Sequence, residues 1–274
     1  MKTKDNKIMR RRERSIRKRL ARDNYPDHDG PVMQVPNIHY ELSERTRGIG
    51  CGGIGAIHTL CKNTGLMHTI DRNVEVLKRH LPYHESDHVL NIAYNSITGG
   101  RCLQDIELRR NDEAYLDALG AERIPDPTTA GDFSRRFSRG DIVDLMEAIN
   151  QTREFVWRRT LPRRDRREAI IDVDGMLAET TGECKEGMDI AYNGIWGYHP
   201  LIVSLANTGE PLYLVNRSGN RPSHDGAPPW IDRAVELTGK VFGRTLLRGD
   251  TAFSLTEHFD RSEEHTSELQ SPSA

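Results

Sequence analysis

The run Ile170-Ile171-Asp172-Val173-Asp174-Gly175 constrains this chain more than any other segment, because apolar and acidic residues alternate there with the period of a β-strand. Side chains two apart on a strand share a face, so Asp172 and Asp174 project together. Paired carboxylates on one face repel unless a cation stands between them. The alternative is that both are turn or edge residues beside Gly175; Ile170 and Ile171 place them inside a strand pattern instead.

Downstream residues extend that strand into a sheet. Residues 199–206 and 211–216 flank the turn Asn207-Thr208-Gly209-Glu210 and read as a hairpin. Residues 227–237 resemble a helix with Pro228 and Pro229 near its start, and residues 241–248 read as a last strand ending at Gly249-Asp250-Thr251. Strand, hairpin, helix, strand is the opening order of an RNase H-like fold. In that fold the last strand runs beside the first, and Asp250 joins Asp172 and Asp174. Three hard oxygen donors at one sheet end suit Mg²⁺ or Mn²⁺. Two such ions about 4 Å apart activate a water or a DNA 3′-hydroxyl and stabilise the leaving oxygen of an in-line phosphodiester displacement.

Upstream the period is helical. Ile54, Ile57, Leu60 and Cys61 share a face, as do Val74, Val76, Leu77 and Leu81, and Ile142, Leu145, Met146 and Ile149 form a later stripe. Gly99-Gly100 and Ile124-Pro125-Asp126-Pro127 interrupt it. The expected fold class is α+β, a helical N-terminal region followed by an incomplete RNase H-like α/β domain. Its expected parts are a basic arm and linker (1–36), a helical DNA-handling region (37–162) and a partial catalytic domain (163–260). Residues 261–274 look like the in-frame translation of a sequencing adapter and are set apart as a non-native tail.

Charge is informative only by position. The 274 residues carry a net charge of −2, yet residues 1–22 hold eleven Lys or Arg against Asp5 and Glu13. Arg10, Arg11, Arg12, Arg17, Lys18 and Arg19 are the candidates in this arm for salt-sensitive, sequence-independent DNA contact. A solvated tail has the same composition. No stretch of about 18 apolar residues is present, and no apolar segment follows the basic start, so neither a membrane span nor a secretory signal is expected. A cytoplasmic protein, at the nucleoid when bound to DNA, is the expectation. Cys51, Cys61, Cys102 and Cys184 lie far apart and suggest neither a zinc ribbon nor a disulfide framework.

Other motifs compete. His84-Glu85-Ser86-Asp87-His88 spells the zinc-peptidase pattern H-E-x-x-H, but His84 follows Pro82-Tyr83 at a helix start. Gly48, Gly50 and Gly53 match the dinucleotide fingerprint by letters, without the strand that should precede it. A haloacid dehalogenase-type phosphatase would use Asp172 as nucleophile and Asp174 as acid/base partner; it also wants a second acidic residue after Gly249-Asp250, where Ser254 stands.

Several segments together resemble insertion sequence 1380 family DDE transposases: residues 169–176, Thr180-Thr181-Gly182-Glu183, Gly197-Tyr198-His199-Pro200-Leu201, Asn216-Arg217-Ser218-Gly219-Asn220 and Leu247-Arg248-Gly249-Asp250-Thr251. Residues 77–90 and 107–113 resemble that family too, so the likeness spans roughly residues 45 to 260. The resemblance implies a first catalytic aspartate within Asp172-Val173-Asp174, with Asp174 favoured, and a second at Asp250. Met176 and Ala252 stand where the family has polar residues. The resemblance also implies a third acidic residue, a Glu on a later helix, which has no counterpart here; the chain is therefore expected to be a poor catalyst, or a DNA-binding remnant that cannot cut. Terminal inverted repeats, target DNA and a synaptic homodimer are the implied partners, with Arg109, Arg110, Arg135 and Arg136 as phosphate contacts. His84, Glu85 and His88 become helix-surface polar groups in this picture.

Overall fold

A computed structural model of the chain describes residues 7, 10–15, 17–18, 30–33, 51–80, 82–181, 185–250 and 253. Two compact units divide it, Met1–Leu145 and Met146–Ala274.

Helices build the first unit: α1 (Ile54–Asn63), α2 (Leu66–Asn73), α3 (Glu85–Ile97), α4 (Ile106–Arg110), α5 (Glu113–Leu119), α6 (Pro127–Ser134) and the start of α7 (Arg139–Thr160). Their ends carry the expected chemistry. Asp112 and Asp126 cap α5 and α6 by accepting from the Tyr115 and Thr129 N–H groups, Pro127 occupies the first turn of α6, and Gly120 ends α5 at φ 64°. Ile54, Leu90, Tyr94, Ile106, Tyr115 and Leu119 close into one apolar core. Burying each such side chain contributes roughly 1.5–3 kcal/mol.

Two features of this unit depart from expectation. Residues 74–80 are not helical despite the spacing of Val74, Val76 and Leu77; Leu81 lies outside the described residues. Val74 is already extended, and the Leu77 N–H, instead of continuing a helix, donates to Glu85 Oε1 at 2.9 Å. The start of α3 is buried rather than surface-exposed: Glu85, Ser86, Asp87 and His88 are all at most 3% exposed. Asp87 accepts from the N–H groups of Val32 and Met33 at 2.8 Å and of His84 at 2.9 Å, and Asp71 accepts from Ser86 N and Oγ. These carboxylates satisfy backbone donors that would otherwise be buried without partners.

The second unit is a mixed sheet with helical cover. Its strands are β1 (Glu168–Gly175), β2 (Ala178–Glu179), β3 (Asp189–Ile190), β4 (Trp196–Tyr198), β5 (Leu201–Leu205), β6 (Glu210–Val215) and β7 (Arg244–Gly249); α8 (Pro228–Gly239) precedes β7. The main sheet has the order β6-β5-β1-β7, with β1 antiparallel to β5 and parallel to β7. A smaller sheet has the order β2-β4-β3. Ala169, Ile171 and Val173 face the core, joined by Leu201, Val203 and Leu205 from β5. α8 packs on this sheet, bringing Trp230 against Tyr213 and Thr238 Oγ1 to 3.2 Å from Thr245 Oγ1. The later part of α7 grips β6 through Asn150 Nδ2 to the Leu212 carbonyl and Trp157 Nε1 to Glu210 Oε2. The fold is α+β.

Candidate active site

Because the core takes Ala169, Ile171 and Val173, strand alternation turns Asp172 and Asp174 to the opposite, open face. The parallel register sets Asp172 against Arg248 and Val173 against Gly249. Asp174 and Asp250 are each the next residue after that last pair. The register therefore brings both to the C-terminal ends of adjacent strands, where both are exposed.

The carboxylates are not equivalent. Both oxygens of Asp172 accept from the Arg248 guanidinium, Oδ1 from Nε at 2.6 Å and Oδ2 from Nη2 at 2.7 Å. That fork holds Arg248 above its usual pKa, first through the hydrogen bonds and then through the charge. Asp174 Oδ1 accepts from the Gly175 N–H at 2.7 Å, which folds its side chain over the strand end.

Loops close tightly behind that end. Gly175 leaves little room for a side chain: a Cβ there would meet His199 Nε2 at 2.8 Å and Ser223 Oγ at 2.9 Å, so these side chains would have to shift. His199 Nδ1 lies 2.6 Å from the Arg221 carbonyl, which can only accept, so Nδ1 carries the proton. Arg217 ties the same loop by donating to the carbonyls of His199, Ser223 and Asp225. Burial holds its guanidinium below its usual pKa. Segments far apart in sequence, around Gly175, His199 and Arg217, thus meet at one sheet end. Sequence reasoning missed Arg248 and Arg217 as structural partners. Arg248 had a usable signal, since it lies two residues before Asp250 and shares its strand face.

Carboxylate oxygens of Asp174 and Asp250 are hard donors that fit Mg²⁺ or Mn²⁺. A different group in the first unit also clusters: ligand atoms of His80, His84 and Glu85 lie within 4.8 Å of one another. Its geometry does not suit an ion. The two imidazoles are stacked 3.9 Å apart at 6°, so no single ion lies in both ring planes, and Glu85 already accepts from Leu77 N and pairs with His80 at 3.0 Å. His88 faces Phe133 in a stack at 4.3 Å, so the H-E-x-x-H letters do not assemble a zinc site. Gly53 lies at the entry to α1 with no strand before it among the described residues; Gly48 and Gly50 lie outside them. For the phosphatase alternative, the Asp172 nucleophile is held by Arg248, and Ser254 lies outside the described residues.

In the basic arm, Arg10, Arg11, Arg12, Arg17 and Lys18 are helical and exposed, with Arg17 paired to Glu13 at 2.9 Å; Arg19 lies outside the described residues. Arg109 donates to the Thr98 carbonyl, Arg110 pairs with Glu107 and Arg135 with Asp132. Among the described residues no helix is long and apolar enough to cross a membrane.

Comparison with known proteins gives one family. A family model described as transposase DDE domain group 1 matches residues 50–269. No curated protein matches. Among solved structures the chain is similar to a piggyBac transposase synaptic complex with hairpin DNA, seen by cryo-electron microscopy, at 12% identity and a TM-score of 0.32. That likeness covers 84% of this chain and 44% of the other, so the chain spans less than half of that protein's length.

Proposed function

This chain belongs to the transposase DDE domain group 1 family, and from that premise we propose that it cuts and joins DNA at the terminal inverted repeats of an insertion sequence of the 1380 family. The observation that supports this reading is the parallel register of β1 and β7, which brings exposed Asp174 and exposed Asp250 to the same end of adjacent strands. In the proposal the second unit carries an RNase H-like catalytic sheet, and Asp174 and Asp250 hold Mg²⁺ or Mn²⁺. When bound, the divalent ion supplies Lewis-acid stabilisation of a phosphoryl oxygen and lowers the pKa of a nucleophilic hydroxyl.

The protein's own groups do the rest. Negative charge on Asp174 and Asp250 repels a phosphodiester, so the sheet end admits DNA more readily when a cation is present. The backbone N–H of Gly175 fixes the Asp174 oxygen that it contacts, and the Gly175, His199 and Arg217 contacts stiffen the strand end on which Asp174 sits. The exposed arginines of the arm contribute phosphate contacts that release counterions, the helical region 37–162 handles DNA, and a second copy completes the synaptic complex.

The test uses the full chain with a labelled duplex carrying the element's end, titrated with Mg²⁺ and Mn²⁺. Slow metal-dependent nicking, in keeping with the poor catalysis expected from the sequence, that is lost in Asp174→Ala and Asp250→Ala with duplex binding retained is the expected result. Nicking that survives both substitutions refutes the site. Duplex binding without nicking under any divalent ion instead identifies a DNA-binding remnant.

A further inference from the structure

Beyond the Glu168–Arg244 pair where the two strands begin, the open face of the sheet carries three carboxylates and one guanidinium, and the register sorts these into two tiers. Asp172 and Arg248 face each other across β1 and β7; two residues further along each strand come Asp174 and Asp250. Val173 and Gly249, between the tiers, belong to the other face. The lower tier is a bidentate ion pair, with both Asp172 oxygens engaged by one planar fork at 2.6 and 2.7 Å.

An ion pair of this kind has a specific meaning beside a cation site. The guanidinium cancels the charge of Asp172, so that carboxylate attracts a cation far less than its position suggests. The pair is half-exposed, with side-chain accessibilities of 34% for Asp172 and 49% for Arg248, and such pairs add little to stability. Its larger contribution is lateral alignment. A one-residue slip of β7 against β1 would break the fork and turn Asp250 to the core face.

Resting on the reading of Asp174 and Asp250 as the cation ligands, we propose that Asp172 and Arg248 form a charge-neutral positioning pair, and that Asp172 is not a ligand. Together with the backbone ladder and the Glu168–Arg244 pair, which hold the strands without it, the pair favours the register that brings Asp174 and Asp250 to the same strand end. It also limits the charge of the face, so that the site takes up a divalent ion without trapping a surplus of cations.

Mn²⁺ titration of the full chain by calorimetry tests this, with thermal unfolding of each variant as a control for folding. Arg248→Gln alone releases a carboxylate and is expected to tighten Mn²⁺ binding about tenfold; Asp172→Asn alone leaves an unbalanced cation and is expected to weaken it about tenfold. The deciding variant is the double substitution Asp172→Asn with Arg248→Gln. Removing a neutral pair should leave Mn²⁺ affinity within about threefold of the parent, whereas Asp174→Asn alone lowers it about tenfold or more. A double variant as weak as Asp174→Asn makes Asp172 a ligand and overturns the proposal. If the double variant loses its native circular dichroism, the exchange Asp172→Arg with Arg248→Asp asks the same question, and parent-like affinity is again the expected result. A parent chain that takes up no Mn²⁺, or an Asp174→Asn variant that titrates like the parent, instead defeats the reading on which the pair depends.

Discussion

Acidic residues cluster in both units of this protein, and the two clusters solve opposite problems. At the start of α3, Asp71, Glu85 and Asp87 are drawn into the interior or its margin, where their oxygens receive backbone N–H groups from residues 32, 33, 77, 84 and 86. Burial outweighs those hydrogen bonds, so Asp71 and Asp87 sit above the ordinary carboxylate range. At the end of β1 and β7, Asp174 and Asp250 stand in solvent. The number of carboxylates does not separate a structural cluster from a chemical one. Burial does: the first group takes up backbone N–H groups from several segments inside the helical unit, while the second stays exposed at the sheet end.

The largest effect that would sharpen this contrast is on stability. Asp87→Ala removes the acceptor of three N–H groups, two of them buried and that of Val32 partly so, and unfolding in urea should show a loss of about 3–5 kcal/mol. A loss below about 1 kcal/mol would mean that water replaces the carboxylate and the contrast fails.

Next in size is a pH effect in the same helix. Desolvation, with a smaller contribution from Arg136, lowers the His88 pKa to about 4, and its ring is stacked on Phe133 with Nδ1 lacking a partner among the described residues. The folded state then binds a proton less readily than the unfolded chain. Stability from this group is complete above about pH 6.5 and is lost as pH falls towards 4, by up to about 3 kcal/mol. His88→Phe should flatten that limb of the stability curve. An unchanged slope would show that other groups carry it.

Gly175→Ala comes third. The added methyl meets His199 and Ser223, and overpacking of this kind costs about 1–3 kcal/mol, while displacing the strand end that carries Asp174. Denaturation and Mn²⁺ titration should therefore both shift; a change in stability alone would uncouple the loop from the acidic pair. Smallest is the stability effect of Asp174→Ala, within about 0.5 kcal/mol, since the group is exposed. A substantial loss there would break the comparison, because it would make Asp174 a structural residue like Asp87.

Legibility in the sequence follows the same division. Strand β1, the β5–β6 hairpin, α8 and β7 are readable because each is long enough to show a period, and the pairing of β1 with β7 follows from their order. The two-residue strands β2 and β3 carry no period at all, and the small sheet they form with β4 is invisible in the sequence. Residues 74–80 have helical spacing, but a distant carboxylate captures the Leu77 N–H. Glu85 and Asp87 look like surface residues because burial of a charge depends on donors from elsewhere in the chain. Asp172 and Asp174 are legible as a pair on one face; that Arg248 claims only Asp172 requires the register.

The parallel pairing of β1 with β7 also sets an order of events during folding. Asp172 and Arg248 are 76 residues apart in sequence. The hairpin and α8 lie between them and gain their own contacts over shorter loops, whose closure costs less chain entropy. Strand β7 is therefore expected to dock after the hairpin and α8, which amide-exchange protection followed during refolding would check. On a ribosome, Asp174 emerges well before Asp250 exists, so the nascent chain cannot bring the two carboxylates together until β7 has been made and docked.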